Sequence, residues 1–286
     1  MPETTNNYTG GLHTNAFGVT ITSHTFEDGV GIIEFEQDLT SVGDYAFYSC
    51  SLTSITIPDS VTSISNYAFS NSGITSITIP DSVTGIGSSA FSNCTSLTSI
   101  TIPDSVTSIG SSAFYNCTSL TSVTIPDSVT SLGDGAFYGC SGLTSVVIGK
   151  SLTTIEGGSF SRCSSLTSIV IPNTVTNIMG GAFSHSGITS IVIPSSMSVI
   201  IGGAFDRCEA LSEVTLPSSV TSIQGGAFSN CTSLTTITSL ATTAPSVLNG
   251  AFANSGTNGT LKVPTGSTGY DAWLPYLPSG WTIVEQ

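Results

Sequence analysis

The chain has 286 residues, only 8% of them charged, and its four basic residues against 18 acidic ones leave a formal net charge of −14. That balance excludes nucleic-acid binding, which needs a basic stripe to displace counterions from phosphate. Hydrophobic residues make up 39% of the sequence but never form the run of about 20 apolar residues needed to cross a bilayer, so no membrane insertion is expected.

The opening Met1-Pro2-Glu3-Thr4-Thr5-Asn6-Asn7 lacks the basic-then-apolar pattern of a signal peptide. Residues 1–30 stand outside the repeat that follows and are expected to form an N-terminal cap. Val19 and Ile21 alternate with threonines there, and Glu27-Asp28-Gly29 supplies turn chemistry ahead of Ile32, Ile33 and Phe35, the pattern of a short hairpin. Such a cap covers core and strand edge that a terminal repeat would otherwise expose.

From residue 31 to 253 phenylalanines set a rhythm: Phe47, Phe69, Phe91, Phe114, Phe137, Phe160, Phe183, Phe205, Phe228 and Phe252, separated by 22 to 24 residues. This period falls in the 20–29-residue range of leucine-rich repeats, so about ten stacked turns sharing one core are expected, in a single structural domain. Within one turn, Leu97, Ile100 and Ile102 have the spacing of a repeat strand with alternate side chains inward. Pro103 ends that strand because it cannot donate to a ladder. Asp104-Ser105 opens a turn, Val106 and Ile109 return to the core, and Ala113-Phe114 close the coil through a short 3₁₀ or helical turn. The predicted fold class is mainly β, a repeat β/3₁₀ solenoid with eight inward side chains per coil, Cys117 included.

Seven cysteines each follow a repeat phenylalanine by three residues. Their odd number and shared register predict a ladder of buried thiols that pack as small hydrophobes, since zinc sites want cysteines two to four residues apart. Where the cysteine is missing, the chain shortens to Asn71-Ser72-Gly73 or His185-Ser186-Gly187. After the last repeat, residues 254–286 gather Tyr270, Trp273, Leu274, Tyr276, Leu277, Trp281, Ile283 and Val284 into a predicted C-terminal cap, preceded by a strand-like Leu261-Lys262-Val263-Pro264.

The sentence Ile-Pro-Asp-Ser-Val-Thr-Ser-Ile-Gly-x-x-Ala-Phe-x-x-Cys, repeated from about Ile33 to Ala253, closely resembles the BspA-type leucine-rich repeats. The resemblance implies a right-handed leucine-rich-repeat solenoid. Members of that family are mostly surface or secreted proteins implicated in adhesion. It therefore implies an extracellular or cell-surface location and a protein or glycan partner on another cell or matrix.

Three arrays recur in register. Asp59, Asp81, Asp104 and Asp127 form a carboxylate ladder, which either caps each Pro-Asp-Ser turn or offers weak calcium sites. Outward strand positions, among them Ser99, Thr101, Ser122, Thr124, Ser145 and Val147, form rows that suit β structure or, less readily, an ordered surface such as ice. The third array is the ligand-binding candidate. Two residues after each phenylalanine the chain mostly places a small or amide residue, but in three consecutive turns it places Arg162, His185 and Arg207. Stacking brings them together on an otherwise acidic protein, where they could meet an acidic glycan or a partner carboxylate. The competing reading pairs Arg207 with Asp206 or Glu209. Tyr48, Tyr115 and Tyr138, each one residue after a phenylalanine, add a mild aromatic strip.

His13, His24 and His185 are accompanied by no nucleophile motif, phosphate loop or metal spacing. The expected protein is a non-enzymatic binding scaffold without a cofactor. A structural spacer is the alternative.

Overall fold

The computed structural model describes residues 17–27 and 30–286. It is a mainly β solenoid of about eleven turns with little helix. The eight inward positions of the Phe114 coil are all buried as the repeat predicts, with Leu97, Val106, Ala113, Phe114 and Cys117 fully inaccessible. Ten phenylalanine rings stack into a spine whose centroids lie 5.0–5.7 Å apart. A single cluster of buried side chains runs from Phe17 to Trp281.

Both ends of the spine are closed by aromatic rings. Strands β1 (Ile21–Glu27) and β2 (Val30–Phe35) form an antiparallel hairpin. Its expected turn at Asp28-Gly29 lies outside the described residues. Phe17 bridges the hairpin to the solenoid, 5.1 Å from Phe35 and 5.5 Å from Phe47. At the other end a 3₁₀ helix, Tyr270–Tyr276, sets Trp273 6.0 Å from Phe252. Tyr270, Trp273, Leu277 and Trp281 are buried there, whereas Leu274, Tyr276 and Val284 face outward. The two indoles satisfy their N–H groups on the carbonyls of Pro245 and Gly256 at 2.8 and 2.7 Å, as buried tryptophans require.

Each regular coil carries two short parallel strands rather than the one expected. The first is the predicted strand, for example Ser99–Thr101, in register with Ser76–Thr78. The second is the segment Ser108–Ile109, read from the sequence only as a return to the core; it belongs to a five-stranded parallel sheet from Ser41–Val42 to Ser131–Leu132. Thr107 reinforces this second ladder by donating both its N–H and its Oγ1 to the carbonyl of Thr84.

The corner that closes each coil contains the expected i→i+3 hydrogen bonds, Ala113 to Gly110, Tyr115 to Ser112 and Cys117 to Phe114. They do not wind into a helix, because Ser112 and Asn116 have left-handed backbone, φ 56° and 55°. That alternation turns the N–H groups of Ser112, Phe114 and Asn116 toward the next coil, where they donate to Asp134, Ala136 and Tyr138.

The stack changes character at the Phe160 coil. Gly87, Gly110 and Gly133 lie so close to the preceding coil that a Cβ on Gly110 would meet Ser88 N at 2.5 Å. From Gly157 onward the close approach moves one residue along and toward the following coil; a Cβ on Gly202 would meet Gly225 O at 2.6 Å. At the change, Ser168–Val170 belongs to no strand, and the Phe137–Phe160 spacing of 5.7 Å is the widest in the spine. Phe160 and Phe183 tilt by 16°, the largest angle between neighbouring spine rings. Ser159, where other coils place alanine, is fully buried there with its hydroxyl unpaired.

Candidate binding surface

All seven cysteines are buried. Six donate to a phenylalanine carbonyl of the preceding coil, such as Cys117 to Phe91 O at 3.1 Å and Cys140 to Phe114 O at 3.1 Å. In the shortened coils the register position is filled by Ser72 and Ser186, also buried, each against the sulfur of the next cysteine at 3.3 and 3.4 Å. Burial pushes the Cys208 thiol up to about 12 and raises those of Cys94 and Cys163. Thiols held protonated in this way are structural, not nucleophilic.

The carboxylates of Asp59, Asp81, Asp104 and Asp127 are exposed. The expectation that each caps its own turn is corrected. The turn is closed by Val106 N donating to Pro103 O and by Ser105 Oγ reaching Val83 O in the preceding coil at 2.7 Å. Asp127 instead accepts from Lys150 N of the next coil at 2.7 Å. Among the described residues no group of three or more His, Cys, Asp or Glu side chains is placed to hold a metal ion.

The outward rows are uneven. Serine and threonine of the early coils are exposed, but the row then passes through Val147, Val170 and Val192, at 55%, 84% and 67% exposure. The break at Ser168–Val170 interrupts the sheet that would hold such a row flat.

The left-handed corner carries the greatest variety of side chains. Two columns of positive φ run along it. One lies two residues after each phenylalanine, from Ser49 through Asn71, Asn93 and Asn116 to Asn254, with φ between 55° and 73°. The amide preference at this column therefore has a conformational cause, since asparagine and glycine adopt left-handed backbone most easily. Arg162, His185 and Arg207 hold the same backbone at φ 60°, 57° and 56°, against that preference. The second column lies two residues before each phenylalanine: Tyr45, Tyr67, Ser89 and Ser112, then glycine from Gly135 to Gly250.

Backbone bonds from Arg162 N to Ser184 O and from His185 N to Asp206 O place the three predicted residues in adjacent coils. Their side-chain tips do not converge as a set. Arg162 folds back so that Nε donates to the Tyr138 hydroxyl at 2.6 Å, with the guanidinium 5.9 Å from the ring centroid. Arg207 pairs with Asp206 at 3.7 Å, and Asp206 also accepts from Asn230 Nδ2 at 3.0 Å. His185 is half-buried between them.

The corner also holds two aromatic platforms. Tyr115 and Tyr138 stack at 5.0 Å and 4°. Tyr45 and Tyr67 stack at 4.8 Å and 2°, and Tyr48 meets Tyr45 edge-on at 5.6 Å. Tyr45 and Tyr67 were not singled out in the sequence, although their place in a column otherwise serine or glycine was visible. Beyond Tyr138 lies an open groove of about 470 Å³, bounded by Tyr115, Asp134 and Ser184 and floored by glycines including Gly158 and Gly181.

Fold and surface together define a parallel β-solenoid whose interior is uniform and whose corner is not. The model of the BspA-type leucine-rich repeat region matches residues 19–144 and 130–259, and the chain belongs to that family. Among solved structures, a leucine-rich repeat protein from Bacteroides ovatus shares 22% identity over 94% of this chain and 99% of its own, with a TM-score of 0.56. A leucine-rich cell surface protein from Faecalibacterium prausnitzii is 33% identical over 75% of this chain and 58% of its own, with a TM-score of 0.44. The pneumococcal vaccine antigen PcpA is 16% identical over 93% of this chain and 88% of its own, at 0.40. No curated protein matches the chain significantly.

Proposed function

We propose that this protein is a non-enzymatic recognition scaffold, an adhesion module secreted or held at a cell surface, that uses its left-handed corner to bind a protein or glycan of another cell or matrix. One observation carries the reading. The inward positions repeat almost unchanged, while the corner varies from coil to coil and accepts tyrosine, arginine and histidine on backbone that favours asparagine or glycine. Membership of a family of mostly surface and secreted repeat proteins supports the location and the absence of catalysis. Arg162, His185 and Arg207 belong to this surface. Arg162 acts with Tyr138 as one unit.

Arrays of glycans and matrix proteins probed with the full chain test this reading. Binding is expected, and Arg162→Ala combined with Arg207→Ala is expected to change its pattern. Inertness on every array, together with end-to-end assembly by light scattering, would favour a structural spacer instead. An ice-binding role is disfavoured by the exposed valines and the broken strand at Ser168–Val170.

A further inference from the structure

We infer that the left-handed corner binds a neutral polysaccharide, its pyranose rings lying on the Tyr45/Tyr67 and Tyr115/Tyr138 platforms and in the groove beside Tyr138. The inference rests on the reading of that corner as the recognition surface and names its ligand class.

The first support is an outlier. Tyr45 and Tyr67 adopt φ 60° and 56°, a conformation that costs a residue with a Cβ on the order of 1–2 kcal/mol. They remain 43% and 37% exposed, and serine or glycine serves the same position in every later coil. A large, half-exposed ring kept on strained backbone where serine or glycine serves the other coils marks a functional position. Tyr45 and Tyr67 stack face to face and Tyr48 meets Tyr45 edge-on, a partly exposed aromatic cluster.

The second support is the groove. The tyrosine stack ends at Tyr138 because the next two coils carry Ser161 and Ser184 at that position and glycine in the facing column. What remains is a step: an aromatic wall, a floor of bare backbone, and an open groove of about 470 Å³. A Cβ on Gly158 would lie 3.7 Å from Tyr138 Cδ2, so a side chain there would fill the space against the ring.

Chemistry selects the ligand. A pyranose has a C–H face that packs on an aromatic ring and ring hydroxyls that can donate to the Asp134 carboxylate and exchange hydrogen bonds with Ser184. An anionic chain would meet Asp134 and a net charge of −14, while the arginines are engaged with Tyr138 and Asp206. A protein partner would need roughly 800 Å² of contact per side around an apolar centre, whereas serines and bare backbone separate the platforms. The platforms occupy the Phe47–Phe69 and Phe114–Phe137 coils, so a linear chain running along the stack reaches both.

Affinity electrophoresis of the full chain decides the matter, in native gels containing soluble mannan, galactan or mixed-linkage glucan, with polygalacturonate as the charged comparison. At least one neutral polymer should retard the wild type. Tyr138→Ser, and Tyr45→Ser with Tyr67→Ser, should each weaken that retardation about tenfold. Each variant installs a residue that other coils carry at that position, and a thermal melt confirms that it is folded. Undiminished retardation of the folded tyrosine variants would overturn the inference. Retardation by polygalacturonate alone, abolished by Arg162→Ala with Arg207→Ala, would overturn it while leaving the corner as the recognition surface. Binding only to proteins on the arrays would do the same.

Discussion

Ser159 occupies a position that alanine holds in the neighbouring coils, with Ala136 and Ala182 equally buried beside it. Its hydroxyl lies in the core with no partner. A buried polar group left unpaired costs on the order of 1–3 kcal/mol. Ser159→Ala should therefore raise the urea midpoint, with a gain of about 1 kcal/mol or more. The thiols make a second prediction through linkage. Cys208 keeps its proton to about 12 in the fold, against an ordinary 9.0, because burial disfavours the thiolate. As pH rises the unfolded chain ionises first, so the thiol's contribution is intact below about 9 and is lost between 9 and 12. Urea midpoints measured at pH 7, 9 and 10.5 should fall mainly across the last interval, and Cys208→Ser should remove part of that fall. Serine is native to this register at Ser72 and Ser186, so the variant retains a residue that the core already accommodates.

At the scale of the element, a coil is defined as much by its approach to its neighbours as by its own pattern. The inward set from Leu97 to Cys117 was legible because alternation, proline and period depend only on the local chain. The second strand at Ser108–Ile109 was not, since two residues carry no periodicity; it exists because Thr107 and Gly110 reach carbonyls of the coil before. The left-handed corner was half legible: its asparagines recur in register in the sequence, but their cause lies in dihedral angles. Gly110 tests the contact between coils. A methyl group there would fall 2.5 Å from Ser88 N and 2.7 Å from Gly87 C, backbone atoms that cannot rotate away. Gly110→Ala should cost about 1–3 kcal/mol, read from the denaturation midpoint. The same change at Gly18, where nothing lies within 4 Å, should cost only its backbone strain.

Across the whole molecule the stack has a seam. Close-approach glycines switch sides at the Phe160 coil, and Ser168–Val170 falls out of the sheet. In a solenoid stabilised by nearest-neighbour contacts, such a seam is where opening begins. Native-state hydrogen exchange should find the amides of Ser168–Val170 less protected than those of Ser145–Val147; equal protection would show that the stack opens as one unit. The sequence by itself determined the solenoid, its phenylalanine spine, its buried thiols and its aromatic C-terminal cap, because each is a periodic or compositional fact about residues that must leave water. Only the tertiary structure decided that Tyr45 and Tyr67 stand with Tyr48 on one strained corner, that Arg162 turns back to Tyr138, and that a groove opens where the tyrosines stop. Those facts follow from how each coil seats on the next, and the repeat records the side each residue faces without recording that fit.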